Sequence, residues 1–307
     1  MPGHVPVLEG PALEWLRVRK DGVYVDCTAG AGGHSESIVR RLETGRLIAL
    51  DRDAGAVERV RERLARFSSV EVVHANYGEL AAVLEGMNIA SVDGVLLDAG
   101  LSSVQLDDAE RGFTFQADGP LDMRMDTSHG PTAAEFLSGM REPELAKVLR
   151  DFGDVGPARR IAQAITQRCA RGRLKTTADL RDAVREALPF VTGDPDEIRT
   201  VFQAIRMAVN DELRWLRAGI EQAIRVLAPG GRLVAIAFHS GEDRVIKNAM
   251  RDASRPLREL HPDGRVKKTI PAQLEVLTPK PVTPDDDEVR ANPRSHSARL
   301  RAAERLP

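Results

Sequence analysis

Gly22-Val-Tyr-Val-Asp26-Cys-Thr-Ala-Gly30-Ala-Gly32-Gly33-His34-Ser35 joins a short apolar run to a stretch with helical spacing through a turn rich in glycine. Val23, Tyr24 and Val25 read as a buried strand, and Ser35–Leu42 as a helix. Glycines at such a junction let the backbone bend tightly and let a ligand approach it closely. A plain tight turn has the same composition, so the loop alone does not decide between a turn and a binding site.

The residues that follow give the loop its context. Strand-like runs recur at Gly22–Cys27, Arg46–Leu50, Val70–His74 and Val92–Asp98, with helical spacing between them, as in Ala54–Phe67. Such alternation predicts a parallel sheet covered on both faces. Three runs end in a polar turn carrying an acid: Asp26, Asp51 and Asp98. Ligands of open α/β sheets bind outside the carboxyl ends of the strands. Asp51 stands 21 residues after Gly30, where a carboxylate can accept both hydroxyls of a ribose. A nicotinamide dinucleotide site offers the same arrangement, but its Gly-x-Gly-x-x-Gly pattern meets Ser35 at the third position. Further on, Leu227-Ala-Pro-Gly-Gly-Arg-Leu-Val234 reads as a helix end, a turn and the strand Arg232–Phe238. That order recurs late in S-adenosylmethionine methyltransferases, although Gly and Pro also end ordinary helices. The expected fold is α/β, a class I (Rossmann-like) S-adenosylmethionine methyltransferase fold with an inserted all-helical domain.

The insertion is expected at 107–207, with the methyltransferase domain on either side at 1–106 and 208–307. Helical spacing dominates there: Thr132–Ser138, Glu142–Phe152, Ala158–Cys169, Thr177–Ala187 and Asp196–Met207. Gly156–Lys175 carries six Lys and Arg and no acid. A helix through Leu213, Leu216, Ile220, Ile224 and Leu227 follows, with Asn210 or Asp211 as its cap. Residues 254–287 read as loops with one short strand at Leu274–Leu277, and 289–307 as a basic tail.

The bulk numbers restrict the class. The chain has 307 residues, 42% hydrophobic and 29% charged, with a net charge of −2. A polyanion would therefore have to be met by a local patch. Cys27 and Cys169 stand in no Cys/His pattern, so no metal is expected. The amino terminus has no signal-peptide pattern and no apolar run suits a membrane span. These features suggest a reduced, cytoplasmic protein.

Four further segments carry candidate chemistry. Asp98 precedes a turn with Ser102, Ser103 and Gln105; a capped turn is the plain alternative. Arg111–Asp126 is a dense loop of mixed charge, either functional or an Arg–Asp network bracing the insertion. Phe238-His239-Ser240-Gly241-Glu242-Asp243-Arg244 follows a strand and offers acid–base groups, or simply a helix cap by Ser240 with acids in the first turn. It lacks a Gly-x-Ser-x-Gly elbow, which argues against a hydrolase triad. Asn292–Arg301 is basic, and its arginines suit a solvated tail or phosphate contacts.

Taken together the chain resembles the RsmH (MraW) family of small-subunit (16S) ribosomal RNA cytosine-N4 methyltransferases. The matching stretches include His4-Val-Pro-Val-Leu8, Asp51-Arg-Asp53, Gln105-Leu-Asp-Asp-Ala-Glu-Arg-Gly-Phe113, Gly119-Pro-Leu-Asp-Met-Arg-Met-Asp126, Val209-Asn-Asp-Glu-Leu213, Phe238-His-Ser240 and Asn292-Pro-Arg-Ser295. They keep the family's order along nearly the whole chain. The resemblance implies S-adenosyl-L-methionine as cofactor, held by Gly32, Gly33, His34, Asp51, Tyr77, Asp98 and Gln105. Tyr77 keeps the ring that a Phe supplies in most of the family. Its partner would be 16S rRNA in an assembled 30S particle, with no membrane, and the oligomeric state, a homodimer included, stays open. Departures occur at Val155, Gly241 and Ala99.

For cytosine N4 the amino nitrogen needs positioning and a proton acceptor, and attack by an exocyclic nitrogen needs no cysteine adduct. Asp98 and Ser102 are candidates for contacting it, with His239 and Asp243 as further ones. RNA phosphates would meet Arg159, Arg160, Arg168, Arg171, Arg173 and Lys175, together with Arg294 and Arg299. The rivals are a methyltransferase acting on a non-RNA substrate, a cofactor- and RNA-binding protein without turnover, and a nicotinamide dehydrogenase.

Overall fold

A computed structural model describes residues 6–260 and 265–307, the side chains of 258–260 excepted. His4 and Val5 of the resemblance lie outside the described residues. The chain separates into two compact units: Met1–Gly100 with Leu213–Pro307, and Leu101–Glu212. The helical unit thus extends past the expected 107–207 at both ends. At its start Ser102 caps a helix that holds Gln105. At its end Asn210 accepts from Met125 N (2.7 Å) and donates to Met123 O (2.7 Å), tying the chain back into the same unit.

In chain order the first unit opens with α1 (Glu9–Leu16), β1 (Val23–Asp26), α2 (Gly33–Val39), β2 (Arg46–Asp51), α3 (Ala54–Leu64), β3 (Val70–His74), α4 (Leu80–Gly86) and β4 (Val92–Asp98). The helical unit contains α5 (Ser103–Asp107), α6 (Ala133–Ser138), α7 (Glu142–Gly153), α8 (Ala158–Ala170), α9 (Thr177–Ala187) and α10 (Glu197–Val209). The first unit resumes with α11 (Glu212–Val226), β5 (Leu227–Ala237), α12 (Ser240–Ala253), β6 (Leu257–Leu260), β7 (Val266–Ile270), β8 (Leu274–Val276), α13 (Asp286–Ala291) and β9 (Arg299–Arg305).

The large sheet runs β3-β2-β1-β4-β5-β9-β8. Its first five strands are parallel, and β9 lies antiparallel between β5 and β8. Val25 pairs with Ile48 on one side and Val95 on the other, at the centre of the sheet. These strands are apolar on both faces because both faces are covered. One cluster (Ile48, Leu50, Val95, Leu97, Leu216, Ile220) fills one face, and another (Leu47, Ala49, Leu96, Val234, Ile38, Leu13) the other. Strand order reverses between β1 and β4, which opens the ligand crevice of such sheets there. Asp26 and Asp98 end those two strands.

Three local expectations are corrected. The strand expected at Arg232 begins at Leu227, with Ala228–Gly231 inside it as a bulge: Val92 pairs with Leu227, but Gly94 already pairs with Arg232. Gly230 takes the positive φ (77°) that this excursion needs. The expected basic tail contains β9, whose Leu300, Ala302 and Ala303 are buried. Within 254–287, read as loops, β6 and β7 pair as a separate two-stranded sheet. The helix expected at Ala158–Cys169 is α8, which ends at Ala170; Gly172 (φ 65°) then turns the chain and Thr176 caps α9, accepting from Asp179 N.

The helical unit has its own core, built from Leu145, Leu149, Ile161, Ile165, Leu180, Val201 and Ile205. The charged loop Arg111–Asp126 braces it. Arg111 donates to the carbonyls of Arg124 (3.0 Å) and Met125 (2.9 Å), and Arg124 forks onto Asp122 at 2.7 and 2.8 Å.

Candidate functional site

In the first unit the glycine turn is shaped by Asp26. Its buried carboxylate accepts from Ser35 Oγ (2.6 Å) and Thr28 N (3.1 Å), which pins both ends of the loop. Burial raises the Asp26 pKa, while the nearby His34 and the Ser35 hydrogen bond lower it. Gly30 and Gly32 adopt φ of 54° and 80°. A Cβ on Gly33 would stand 2.6 Å from Pro6 Cγ, so this glycine admits Pro6 against the loop.

Asp51 ends β2 and faces the same loop. It accepts from Gly30 N (2.8 Å) and Asp53 N (2.8 Å). Burial nevertheless pushes its pKa up to about 6, against the lowering effect of those two amides. The carboxylate is thus held in position with capacity left for further donors.

His34 and Asp98 carry the unspent chemistry. His34 is only 6% exposed, and neither ring nitrogen has a hydrogen-bond partner. Its Nε2 lies 3.6 Å from Asp98 Oδ2, and Asp98 Oδ1 is also unpartnered. Burial lowers the His34 pKa, but Asp98, Asp26 and Glu9 outweigh it, and the net shift is upward. Asp98 N donates to Thr28 Oγ1 (2.7 Å), which locks the strand end to the glycine loop. Buried polar groups normally have partners, so this pair is the candidate contact for a polar ligand.

Tyr77 follows β3 on a short 3-10 turn capped by Asn76. Its ring rests on Gly219 of α11, where a Cβ would lie 2.4 Å from Cδ2. Gly219 is therefore the cradle of the ring, and the sequence reading did not single it out. A helix-interior glycine close after Trp215 was the available signal.

Other candidates have structural employment. His239, not Ser240, caps α12: its Nδ1 accepts from Glu242 N (3.3 Å), and Glu242 accepts from Phe238 N (2.8 Å). His239 Nε2 makes no hydrogen bond but lies 3.1 Å from a Glu242 oxygen. The Gly241 departure lies under this ring, since a Cβ there would be 3.2 Å from its Cε1. Asp243 accepts from Arg301 Nε (2.6 Å) and Nη2 (3.1 Å), with Arg299 3.6 Å away. Burial raises its pKa, but these cations win and hold it below the usual carboxylate range. A carboxylate so held is a poor base. Ala99 and Val155 are buried in the apolar cores of their respective units.

In the helical unit Ser102 and Gln105 form a capping box. Ser102 Oγ accepts from Gln105 N (3.2 Å), and Gln105 Oε1 accepts from Ser102 N (3.0 Å). Of the basic candidates there, Arg168 is the least available. It forks onto Glu186 (2.6 and 3.0 Å) and donates to Asp179 O (3.0 Å), bracing α8 against α9. Arg159 pairs with Glu142 at 3.3 Å. Arg160, Arg171, Arg173 and Lys175 are exposed. In the first unit, Arg294 is exposed and Arg299 is the half-exposed neighbour of Asp243.

Cys27 is buried and its thiol is pushed well above its ordinary pKa by burial and by Asp26. Among the described residues no group of three His, Cys, Asp or Glu could hold a metal, and no helix is long and apolar enough to cross a membrane.

A reversed-order parallel sheet with an antiparallel strand beside β5 and acids at the ends of β1, β2 and β4 defines a Rossmann-like methyltransferase whose cofactor is S-adenosyl-L-methionine. More narrowly, the chain belongs to the MraW methylase family, whose model matches residues 1–306. Two relatives carry the name ribosomal RNA small subunit methyltransferase H. The one from Methylobacillus flagellatus is 45% identical over 98% of this chain and 94% of its own. The one from Methylococcus capsulatus is 46% identical over 95% and 97%. A putative rRNA-methylase structure from Clostridium thermocellum is 10% identical, covers 99% of this chain and 100% of its own, and has a TM-score of 0.45.

The residues fit the cofactor. Asp51 has acceptor capacity suited to a ribose diol, Tyr77 offers a cradled ring to a base, and His34 offers unpartnered ring nitrogens to an amino acid end.

Proposed function

We propose that this chain uses S-adenosyl-L-methionine to methylate small-subunit ribosomal RNA, and that the acceptor is N4 of a decoding-region cytosine in 16S rRNA, met in an assembled 30S particle in the cytoplasm. The names of relatives at 40–46% identity support the RNA substrate. The observation in this chain that carries the site is the unpartnered Asp98–His34 pair at the point where strand order reverses.

When bound, the cofactor supplies a methyl group activated by its sulfonium. The chain's residues have three tasks. They hold the donor, for which Asp51, Tyr77, Gly32, Gly33 and His34 are placed. They orient a weakly nucleophilic amino group, whose lone pair is delocalised into the ring; positioning of this kind accounts for several kcal/mol of a barrier. They also take up a proton, for which Asp98 is the proposed acceptor, because its Oδ1 has no partner while Ser102, His239 and Asp243 are engaged in caps and an ion pair. A stacked cytosine must be splayed out to reach such a site. Cys27, held as a buried thiol, takes no part. Arg160, Arg171, Arg173 and Lys175 are the proposed phosphate contacts of the helical unit.

The test is transfer from labelled S-adenosylmethionine to small subunits lacking the mark, followed by nucleoside analysis. N4-methylcytidine is expected. A different methylated nucleoside overturns the position. Cofactor binding with no transfer to any RNA supports a protein without turnover.

A further inference from the structure

The β6–β7 hairpin belongs to no part of the site. It is a sheet of two strands, Leu257–Leu260 and Val266–Ile270, apart from the seven-stranded one. Two strands alone are at best marginally stable in water, and every described β7 residue from Val266 to Thr269 is exposed. Apolar side chains stand in solvent: Leu257 is 61% exposed and Val266 51%. The charge is one-sided. The stretch 254–270 contains Arg255, Arg258, Arg265, Lys267 and Lys268 against Glu259 and Asp263, in a chain whose net charge is −2. Arg255, Lys267 and Lys268 are exposed. The pairing adds reach: the register shifts between Glu259 and Leu260, so that Lys267 is the extra residue of a bulge, and bulges turn and twist a strand locally.

We propose that this hairpin is a second RNA-contacting element, a basic β-ribbon carried by the cofactor-binding unit, whose lysines meet backbone phosphates of the substrate RNA. The occupant follows from charge complementarity: a local positive ribbon on a weakly acidic chain attracts a polyanion, and paired strands with exposed basic side chains are a known form of nucleic-acid reader. Exposed Leu257 and Val266 give the ribbon an apolar surface for sugar or base faces. The inference rests on the RNA reading above and extends it to a surface outside α8 and the turn that follows it.

The test uses the full chain with Lys267→Glu and Lys268→Glu together, and a control variant with Lys147→Glu and Arg217→Glu that makes the same change in net charge. Binding to deproteinised 16S rRNA and to small subunits lacking the mark is measured across a salt series, alongside affinity for S-adenosylhomocysteine and thermal midpoint. Each phosphate contact contributes roughly 0.9 to the slope of log affinity on log salt, so two lost contacts remove about tenfold of the affinity drop between about 50 and 200 mM salt. The expected result is a flatter slope and a raised KM for the hairpin variant, with S-adenosylhomocysteine affinity and midpoint unchanged, and a wild-type slope for the control. If the wild-type chain binds and methylates the RNA and the hairpin variant matches it, the ribbon is not a contact, and the RNA reading stands. If the hairpin variant weakens binding to subunits but not to naked RNA, the ribbon meets protein, which overturns the inference. If the wild-type chain binds no RNA, both readings fall together.

Discussion

Lowering the pH from about 7.5 to about 5 should weaken cofactor binding about tenfold through Asp51 alone. The carboxylate sits at the end of β2 with one amide donor on each side, Gly30 N and Asp53 N, both at 2.8 Å. Burial pushes its pKa from 3.8 to about 6. A ribose diol donates two hydrogen bonds, which only the ionised form can fully accept. With a pKa of about 6 the group is about 97% ionised at pH 7.5 and about 9% at pH 5, hence the factor of about ten, or about 1.4 kcal/mol. The sign for stability runs the other way in the free protein. Its folded pKa lies above the unfolded value, so the native state holds the proton more tightly between about pH 4 and 6, and stability contributed by the protonated form is lost as pH rises through that window. Isothermal titration with S-adenosylhomocysteine, which lacks the sulfonium charge, measures the affinity. Asp51→Asn serves as the control, with lower affinity at neutral pH and a shallower dependence on pH. His34, whose pKa is lowered by burial but raised on balance by Asp98, titrates in both chains, so the difference between them isolates Asp51. A wild-type affinity that is flat down to pH 5, or an Asp51→Asn variant that keeps the tenfold loss, refutes the reasoning.

Gly219→Ala should drive the Tyr77 ring from its cradle and reduce S-adenosylhomocysteine affinity roughly tenfold, the scale of one lost base–aromatic stack; Tyr77→Phe should bind normally, and equal affinity for the Gly219→Ala chain would show that the ring is not a binding surface. Asp98→Asn should bind cofactor within a few-fold of wild type yet lose about 100-fold or more in single-turnover transfer, the range of a general base; full transfer rates would remove Asp98 as proton acceptor. Asp243→Ala strands the buried Arg301 cation and should cost about 3–5 kcal/mol in denaturant unfolding, with transfer per folded molecule retained; lost transfer without lost stability would restore Asp243 to the chemistry. Reversing Arg171, Arg173 and Lys175 should flatten the salt dependence of RNA binding by about 0.9 per contact, and an unchanged slope would take the turn after α8 out of the interface.

The parallel half of the sheet is legible because burial on both faces forces continuous apolar runs, and because Asp26, Asp51 and Asp98 punctuate them. β9 is not, because its determinants are distant. Arg299 and Arg301 read as a solvated basic run until Asp243, 58 residues before Arg301, is seen to neutralise the buried guanidinium. Ala-Pro-Gly-Gly reads as a turn by local rules, whereas pairing of Leu227 with Val92 and of Arg232 with Gly94 keeps it inside a strand. The cap at α12 falls one residue earlier than Ser240 because His239 Nδ1 can accept like an oxygen. Ser102-x-x-Gln105 carries a capping-box spacing in plain view, so a structural use competes there with a ligand role that the residue types alone also suggest. Gly219 escaped because its meaning depends on the Tyr77 ring, 142 positions earlier.

The distribution of satisfied and unsatisfied groups is the strongest physical argument for where the chemistry lies. Asp26 is fully buried and accepts from Ser35 and Thr28; Asp51 has two amides; Asp243 has a bidentate arginine. His34 and Asp98, close to Asp26, have three unpartnered buried atoms between them. Leaving such an atom unpaired costs about 1–3 kcal/mol. A fold that satisfies its other carboxylates so thoroughly tolerates that cost at the end of β4, where a ligand bearing both donors and acceptors recovers it. The same reasoning separates Asp98 from His239. Asp98 Oδ1 makes no hydrogen bond, whereas His239 Nε2 already leans on Glu242 at 3.1 Å, and the other ring nitrogen of His239 caps a helix. A group that must change its hydrogen bonds during the reaction is more readily the one with an oxygen that has none to break.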